Sequence, residues 1–331
     1  MLSFISRNLI LASALMLPLQ STANAAPSFG ELLGWAKDEV IVILHVDDVG
    51  MSHSSNLGAI QATEKGVASS FAIMMPCPWV PEIAAYLQDH RNADSGLHLT
   101  LTSEWKSYRW PPLAGPTVPG LIDPEGCLWS SVAQGITQAT PEEIDREIRA
   151  QLARARNLNI PITHLDSHMG TLFARPDYFE KYVALGIEAQ IPILVAGGHL
   201  THTLKENPAA ATRLKTWIPK IWNAGLPVID DLHTATYNWN ADEKEAKLIE
   251  LLKHLTPGIT EILFHASDPS DVFPLITGSS ESRQGDLNAL LSSQVKQTLI
   301  DEKIQVTTWK ELMQRRQALG KADLETLRNK Q

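Results

Sequence analysis

Only two cysteines, Cys77 and Cys127, occur in 331 residues. A disulfide-rich scaffold is excluded; one bridge or two buried thiols remain open. No long basic run is present and the formal net charge is −9, which argues against a nucleic-acid or anionic-membrane surface. There is no internal repeat and no low-complexity segment. Beyond the first 25 residues no apolar stretch is long enough to span a bilayer.

What is there begins with a segment of its own. "MLSFISRNLILASALMLPLQSTANA" places Arg7 before an apolar stretch from Leu9 to Leu19 and ends in Ala23-Asn24-Ala25. That layout predicts a secretory signal peptide over residues 1–25, cleaved after Ala25. The alternative, an uncleaved anchor, is opposed by the shortness of the stretch and by Pro18 within it. The expectation is an exported protein, periplasmic or secreted, with no membrane span in its mature form. Loss of Arg7 with the leader moves the formal net charge from −9 to −10.

Residues 26–331 read as one catalytic domain with a core over about 40–310. Strand-like runs alternate with helical patterns: Val40 to Val46, then "SSNLGAIQATEKG" closed by a left-handed Gly66, then "VASSFAIMM", "PEIAAYLQDH" and "SGLHLTL". Residues 103–135, rich in Pro, Gly and Trp, form a long aromatic insertion. Thr140-Pro141-Glu142-Glu143 is a capping box opening a helix striped by Ile144, Ile148 and Leu152. Further strands are "PITHLDSH", "IPILVAGG", "LPVID", "TEILFHA" and "IQVTTW", with helices between them and one over 286–302. The alternation predicts an α/β fold with a mainly parallel sheet, and its seven or so units favour a barrel over an open sheet.

Reactive groups in such folds gather where strands end, and four strand ends are polar. Asp47-Asp48 precede Gly50; one aspartate could cap the next helix, but only one cap position exists. His98 sits inside the apolar "GLHLTL", and His265 ends "EILFHA"; either alone could be a satisfied core histidine. His164, Asp166 and His168 are spaced by two in "THLDSHMG", which sets all three on one strand face. Asp with two His suits a catalytic divalent metal with open positions. One neighbouring aspartate could then bind the cation while the other acts as base, because the cation offsets their repulsion.

These stretches, together with "VPGLIDPEGCLW" and "SSESRQGDLNALLSS", resemble the YdjC-like carbohydrate deacetylases in order and approximate spacing over residues 40–310. The resemblance implies a distorted (β/α) barrel of the glycoside hydrolase/deacetylase type and a metal-dependent deacetylase of N-acetylated sugars. It implies Asp48, His98 and His168 as metal ligands, Asp47 as general base and His265 as general acid or transition-state partner. The resemblance adds Arg283 in the late segment; His164 or Asp166 could orient a ligand, since a metal-bound His usually donates its other N–H to an acceptor, and Trp105 and Trp110 are candidate sugar-binding residues of the aromatic loop. The cation implied is Mg²⁺ or Zn²⁺; the His-rich set suits Zn²⁺, and Mg²⁺ normally prefers more oxygen. Met169-Gly170 and Ala266-Ser267 depart from the family pattern where a sugar would contact the site.

Trp105, Tyr108, Trp110 and Trp129 could face pyranose rings, or simply pack the insertion onto the barrel; Trp239 is similar. His199, His202, His233 and His254 have no motif behind them and read as surface or capping residues. Two rival functions stay open: hydrolysis of another amide, ester or phosphoester, and carbohydrate binding without turnover. The sequence sets neither the sugar nor the oligomeric state.

Overall fold

A computed structural model describes residues 26–208, 214 and 216–319. The leader-like segment and the polar end of the chain lie outside the described residues. Seven parallel strands run Val40–Val49 (β1), Ser70–Ile73 (β2), Ser95–Leu99 (β3), Leu165–Ser167 (β4), Asp231–His233 (β5), Gly258–Phe264 (β6) and Gln305–Val306 (β7). Their order is β4-β3-β2-β1-β6-β5, with β7 beside the start of β1.

β1 is central and buried almost throughout, which its run of Val, Ile and Leu allows: a strand covered on both faces needs no alternation. Helices such as His53–Glu64, Val80–Asp89, Pro141–Asn157, Pro176–Ala189 and Lys244–Lys253 connect the strands. The expected strand over "IPILVAGG" is reduced to two isolated parallel bridges, Leu165 with Ile193 and Ala196 with Ile229. Through them the edge at β4 is tied to the segment entering β5, which curls the sheet into a distorted barrel. Ile193, Leu194 and Val195 are buried, so the apolar run fills the seam where a long strand would otherwise lie.

Other expectations resolve in detail. The Thr140 capping box forms, with Glu143 Oε2 accepting from Thr140 N at 2.8 Å. Gly66 does not supply a left-handed cap: it has no positive φ, and the His53–Glu64 helix ends at Lys65 in right-handed geometry. A Cβ on Gly66 would lie 2.5 Å from Leu290 O and 2.6 Å from Ala62 O, so glycine is needed there for close approach. The single helix expected over 286–302 is two, Ser280–Leu291 and Ser293–Asp301, divided at Ser292, which turns extended and caps the second.

The aromatic insertion is ordered. Two short turns, Gly115–Thr117 and Pro119–Leu121, lead to the helix Val132–Gln138. Glu147 on the Pro141–Asn157 helix accepts from Leu113 N and Ala114 N at 3.1 and 2.8 Å, while Trp129 Nε1 donates to Gly120 O at 2.8 Å. Cys77 is buried, Cys127 is partly exposed, and both are free thiols.

Candidate active site

Adjacent residues on a strand point to opposite faces, so Asp47 and Asp48 should diverge. The end of β1 is irregular instead. Its register to β2 moves from Val46–Phe71 to Val49–Ile73, and Asp48 takes φ +64°. This bulge spends one extra residue and turns both carboxylates toward one centre. Asp47 keeps the inward face it shares with His45, two residues before it.

Asp48 is 1% exposed, and its Oδ1 has no hydrogen-bond partner. That oxygen lies 3.4 Å from His98 Nε2 and 3.2 Å from His168 Nδ1. Donors bonded at 2.0–2.1 Å to one tetrahedral ion stand roughly 3.3 Å apart, so these three atoms fit a divalent cation. Carboxylates also brace the two imidazoles from behind. His98 Nδ1 meets Asp166 Oδ1 at 2.6 Å, and His168 Nε2 meets Glu104 Oε1 at 3.0 Å. Such partners fix the ring orientation and raise ligand basicity.

Arg283, on the Ser280–Leu291 helix, is buried, and its guanidinium lies 2.7 Å from Asp48 Oδ2. Burial favours a neutral Asp48, but the Arg283 charge and the contacts with His168 and His98 outweigh it and hold the carboxyl well below its usual range. Burial also opposes charge on His98 and His168. For His98 the charges of Asp47 and Asp166 reverse this and raise the imidazole well above its usual value; for His168 the charge of Glu104 does the same, to about 9. A cation would take the place of those protons.

A deeper polar layer lies behind Asp48, His98 and His168. His45 Nε2 sits 3.1 Å from Asp47 Oδ1 and 3.2 Å from Asp166 Oδ2, and its Nδ1 lies 3.4 Å from Glu261 Oε1 on β6. Burial alone would lower His45, but its contacts with Asp166 and Asp47 and the charge of Glu261 raise it to about 10. Burial pushes Glu261 up to about 8. His164 is fully buried, stacks on Trp309 at 5.6 Å, and stands 4.0 Å from Asp166 Oδ2. Its ring occupies space that a Cβ on Gly96 would invade, at 2.3 Å from Nε2.

His265 follows β6, with Nε2 3.9 Å from Asp47 Oδ2 and Nδ1 without a partner. Burial lowers it to about 4, so its imidazole rests neutral. Its ring meets Tyr237 edge-on at 5.0 Å. Trp105 is half-buried beside Arg283, whose guanidinium carbon is 5.8 Å from its ring centre. Trp110 is 1% exposed and donates Nε1–H to Thr102 O at 2.9 Å; it packs the insertion and presents no free face. A cavity of about 420 Å³ opens over the site, walled by Asp47, His98, Asp166, Met169, Phe173 and Glu206.

The structure therefore brings Asp47, Asp48, His98, Asp166, His168, His265 and Arg283 to one centre, with His164 just beneath. The sequence reading passed over His45, Glu104 and Glu261. His45 carried a usable signal, since it stands two residues before Asp47 on the same strand. Glu104 lies in irregular chain and carried none.

Residues 41–301 match the family model described as YdjC-like protein. The chain belongs to the YdjC-like family. A carbohydrate deacetylase of Thermus thermophilus is 29% identical to this YdjC-like chain over 261 residues, covering 79% of it and 90% of the relative. A carbohydrate deacetylase of Brevibacillus brevis is 26% identical over 274 residues, covering 82% and 99%. The crystal structure of an Enterococcus faecalis protein named for cellobiose-phosphate cleavage superposes with a TM-score of 0.71 at 20% identity, over 83% of this chain and 99% of that one. The last likeness is one of backbone fold.

Proposed function

We propose that this protein is a metal-dependent carbohydrate deacetylase that hydrolyses the N-acetyl group of an amino sugar. The observation that carries the reading is the unpartnered Asp48 Oδ1 at 3.4 and 3.2 Å from His98 and His168, each imidazole braced by its own carboxylate. Its relatives named carbohydrate deacetylases support the choice of bond and substrate. The cavity of about 420 Å³ is of a size that holds a small ligand.

Asp48, His98 and His168 would hold the cation, and two imidazoles with one carboxylate favour Zn²⁺ over Mg²⁺. When bound, the cation supplies Lewis acidity, which lowers the pKa of water and polarises an acyl oxygen. The remaining chemistry falls to the chain. Asp47 lines the cavity with an Oδ1 in no hydrogen bond, and it takes the proton from the attacking water. His45 and His98 approach that oxygen at 3.1 and 3.4 Å and keep the carboxylate aimed. His265 enters neutral, so it is not a preformed acid. It receives the proton across the 3.9 Å from Asp47 and passes it to the departing nitrogen. The C–N bond breaks, and acetate and a free amine leave.

The leader-like segment ending at Ala25 supports an exported enzyme, acting in the periplasm or outside the cell on acetylated glycans. The test is acetate release from N-acetylated and O-acetylated glycans by metal-stripped protein, before and after Zn²⁺ or Mg²⁺ is restored. Metal-dependent release from an N-acetyl sugar, abolished in His168→Ala, is expected. Release from O-acetyl substrates alone would move the reading to an esterase. No release by fully loaded protein would move it to carbohydrate binding.

A further inference from the structure

A second cluster of ligand-type side chains lies outside the set just described. His202 and Glu206 stand four residues apart on the short helix Thr201–Glu206, which places them on one side of it. His233 ends β5. Each of the three offers one atom within 4.8 Å of the other two. The imidazoles of His202 and His233 meet edge to face at 5.0 Å.

Two observations mark this as more than a chance grouping. First, His233 is 6% exposed, and its Nε2 has no hydrogen-bond partner among the described residues. Its Nδ1 faces Glu206 Oε1 at 2.5 Å. A buried imidazole left this way is costly unless something else uses its lone pair. Second, the cluster is braced. Glu206 Oε2 accepts from Thr234 N and Oγ1 at 2.7 and 2.8 Å, which leaves Oε1 directed at His233. Asp231 accepts from His202 N and Thr203 N at 2.7 and 3.0 Å and so fixes the helix bearing the other ligands. A six-residue helix has little stability of its own, so these bonds hold it in place.

We propose that His202, Glu206 and His233 form a second divalent-cation site, of the borderline transition-metal class that Zn²⁺ represents. Two imidazoles and a carboxylate match that class, whereas Mg²⁺ and Ca²⁺ call for more oxygen. Three protein ligands leave a position for water or for a substrate oxygen. Thr203, Glu206 and Thr234 line the same cavity as Asp47 and His98, so the ion would stand on a wall of the active-site cavity. The site's existence does not rest on the deacetylase reading, because metal content is measured without turnover.

The test is metal stoichiometry on stripped and reloaded protein, by elemental analysis and calorimetric titration against a competing chelator. Wild type is expected to bind two equivalents of Zn²⁺. A double variant, Asp48→Asn with His168→Gln, should retain one. Glu206→Gln should also retain one, and combining all three should retain none. Co²⁺ loaded into the double variant should show visible absorption from a low-coordinate site, lost on adding Glu206→Gln. His202→Asn, at a half-buried position, repeats the test should Glu206→Gln fail to fold by circular dichroism. A single equivalent in wild type that is lost in the double variant overturns the proposal. So does a second equivalent that survives substitution at both 202 and 206.

Discussion

Asp47 and Asp48 are neighbours in sequence with opposite surroundings. Asp48 is locked to Arg283 at 2.7 Å, while Asp47 lies beside the imidazoles of His45 and His98 and lines the cavity. Asp47→Asn should therefore keep metal at full stoichiometry and lose turnover by roughly 10²–10⁴-fold, as for a missing general base. Near-normal kcat in that variant would remove Asp47 from the base role. Glu104 braces His168 at 3.0 Å, and Glu104→Ala should weaken metal affinity by about 10–100-fold, read by chelator competition. The deeper pair gives a pH signature. His45 is raised to about 10 and Glu261 to about 8; both hold protons in the folded chain that the unfolded chain has released. Their contribution is fully present below the ordinary values of 6.5 and 4.5 and fades as pH rises through 8 and 10. Stripped wild type should lose stability in denaturant from pH 5 to pH 10, and Glu261→Gln should flatten the lower part of that fall.

At the scale of elements, what the sequence reveals depends on how much of each signal is local. The apolar runs of β1 and β6 and their polar ends are local, and so are the spacing of His164, Asp166 and His168 and the capping box at Thr140. These are legible. The bulge that turns Asp48 is not, because it exists only in register against β2. Nor is the fate of "IPILVAGG", whose pairing is cut to two bridges by the closing of the barrel. Gly66 misleads for the same reason: what demands glycine there is Leu290 O, far along the chain. Asp94 is another long-range device. It is 5% exposed and accepts from Trp309 N and Lys310 N at 3.0 and 2.9 Å, so it caps the helix Trp309–Ala318 from outside that helix. Asp94→Ala would leave two amides without an acceptor. A loss of about 2–4 kcal/mol is expected in chemical denaturation, with metal stoichiometry unchanged.

On the scale of the whole molecule, the barrel interior concentrates negative charge. Asp47, Asp48 and Asp166 are all buried, and Glu104 is nearly so. Without a cation, the counter-charges are Arg283 and the raised imidazoles of His45, His98 and His168. A metal that needs neutral His98 and His168 must displace their protons, so binding at pH 7 should release about two protons. Calorimetry in buffers of different ionisation enthalpy measures that number directly, and no release would mean that the imidazoles are already neutral before the cation binds or are not its ligands. Because the proposed ligands come from β1, β3 and the end of β4, a bound cation would join strands that the unfolded chain cannot bring together. Free metal at a hundred times its Kd should then add about 2.7 kcal/mol to folding stability, seen as a rise in Tm on reloading. The rise should shrink in His168→Ala, where one strand end no longer contributes. An equal rise in that variant would place the stabilising ion elsewhere.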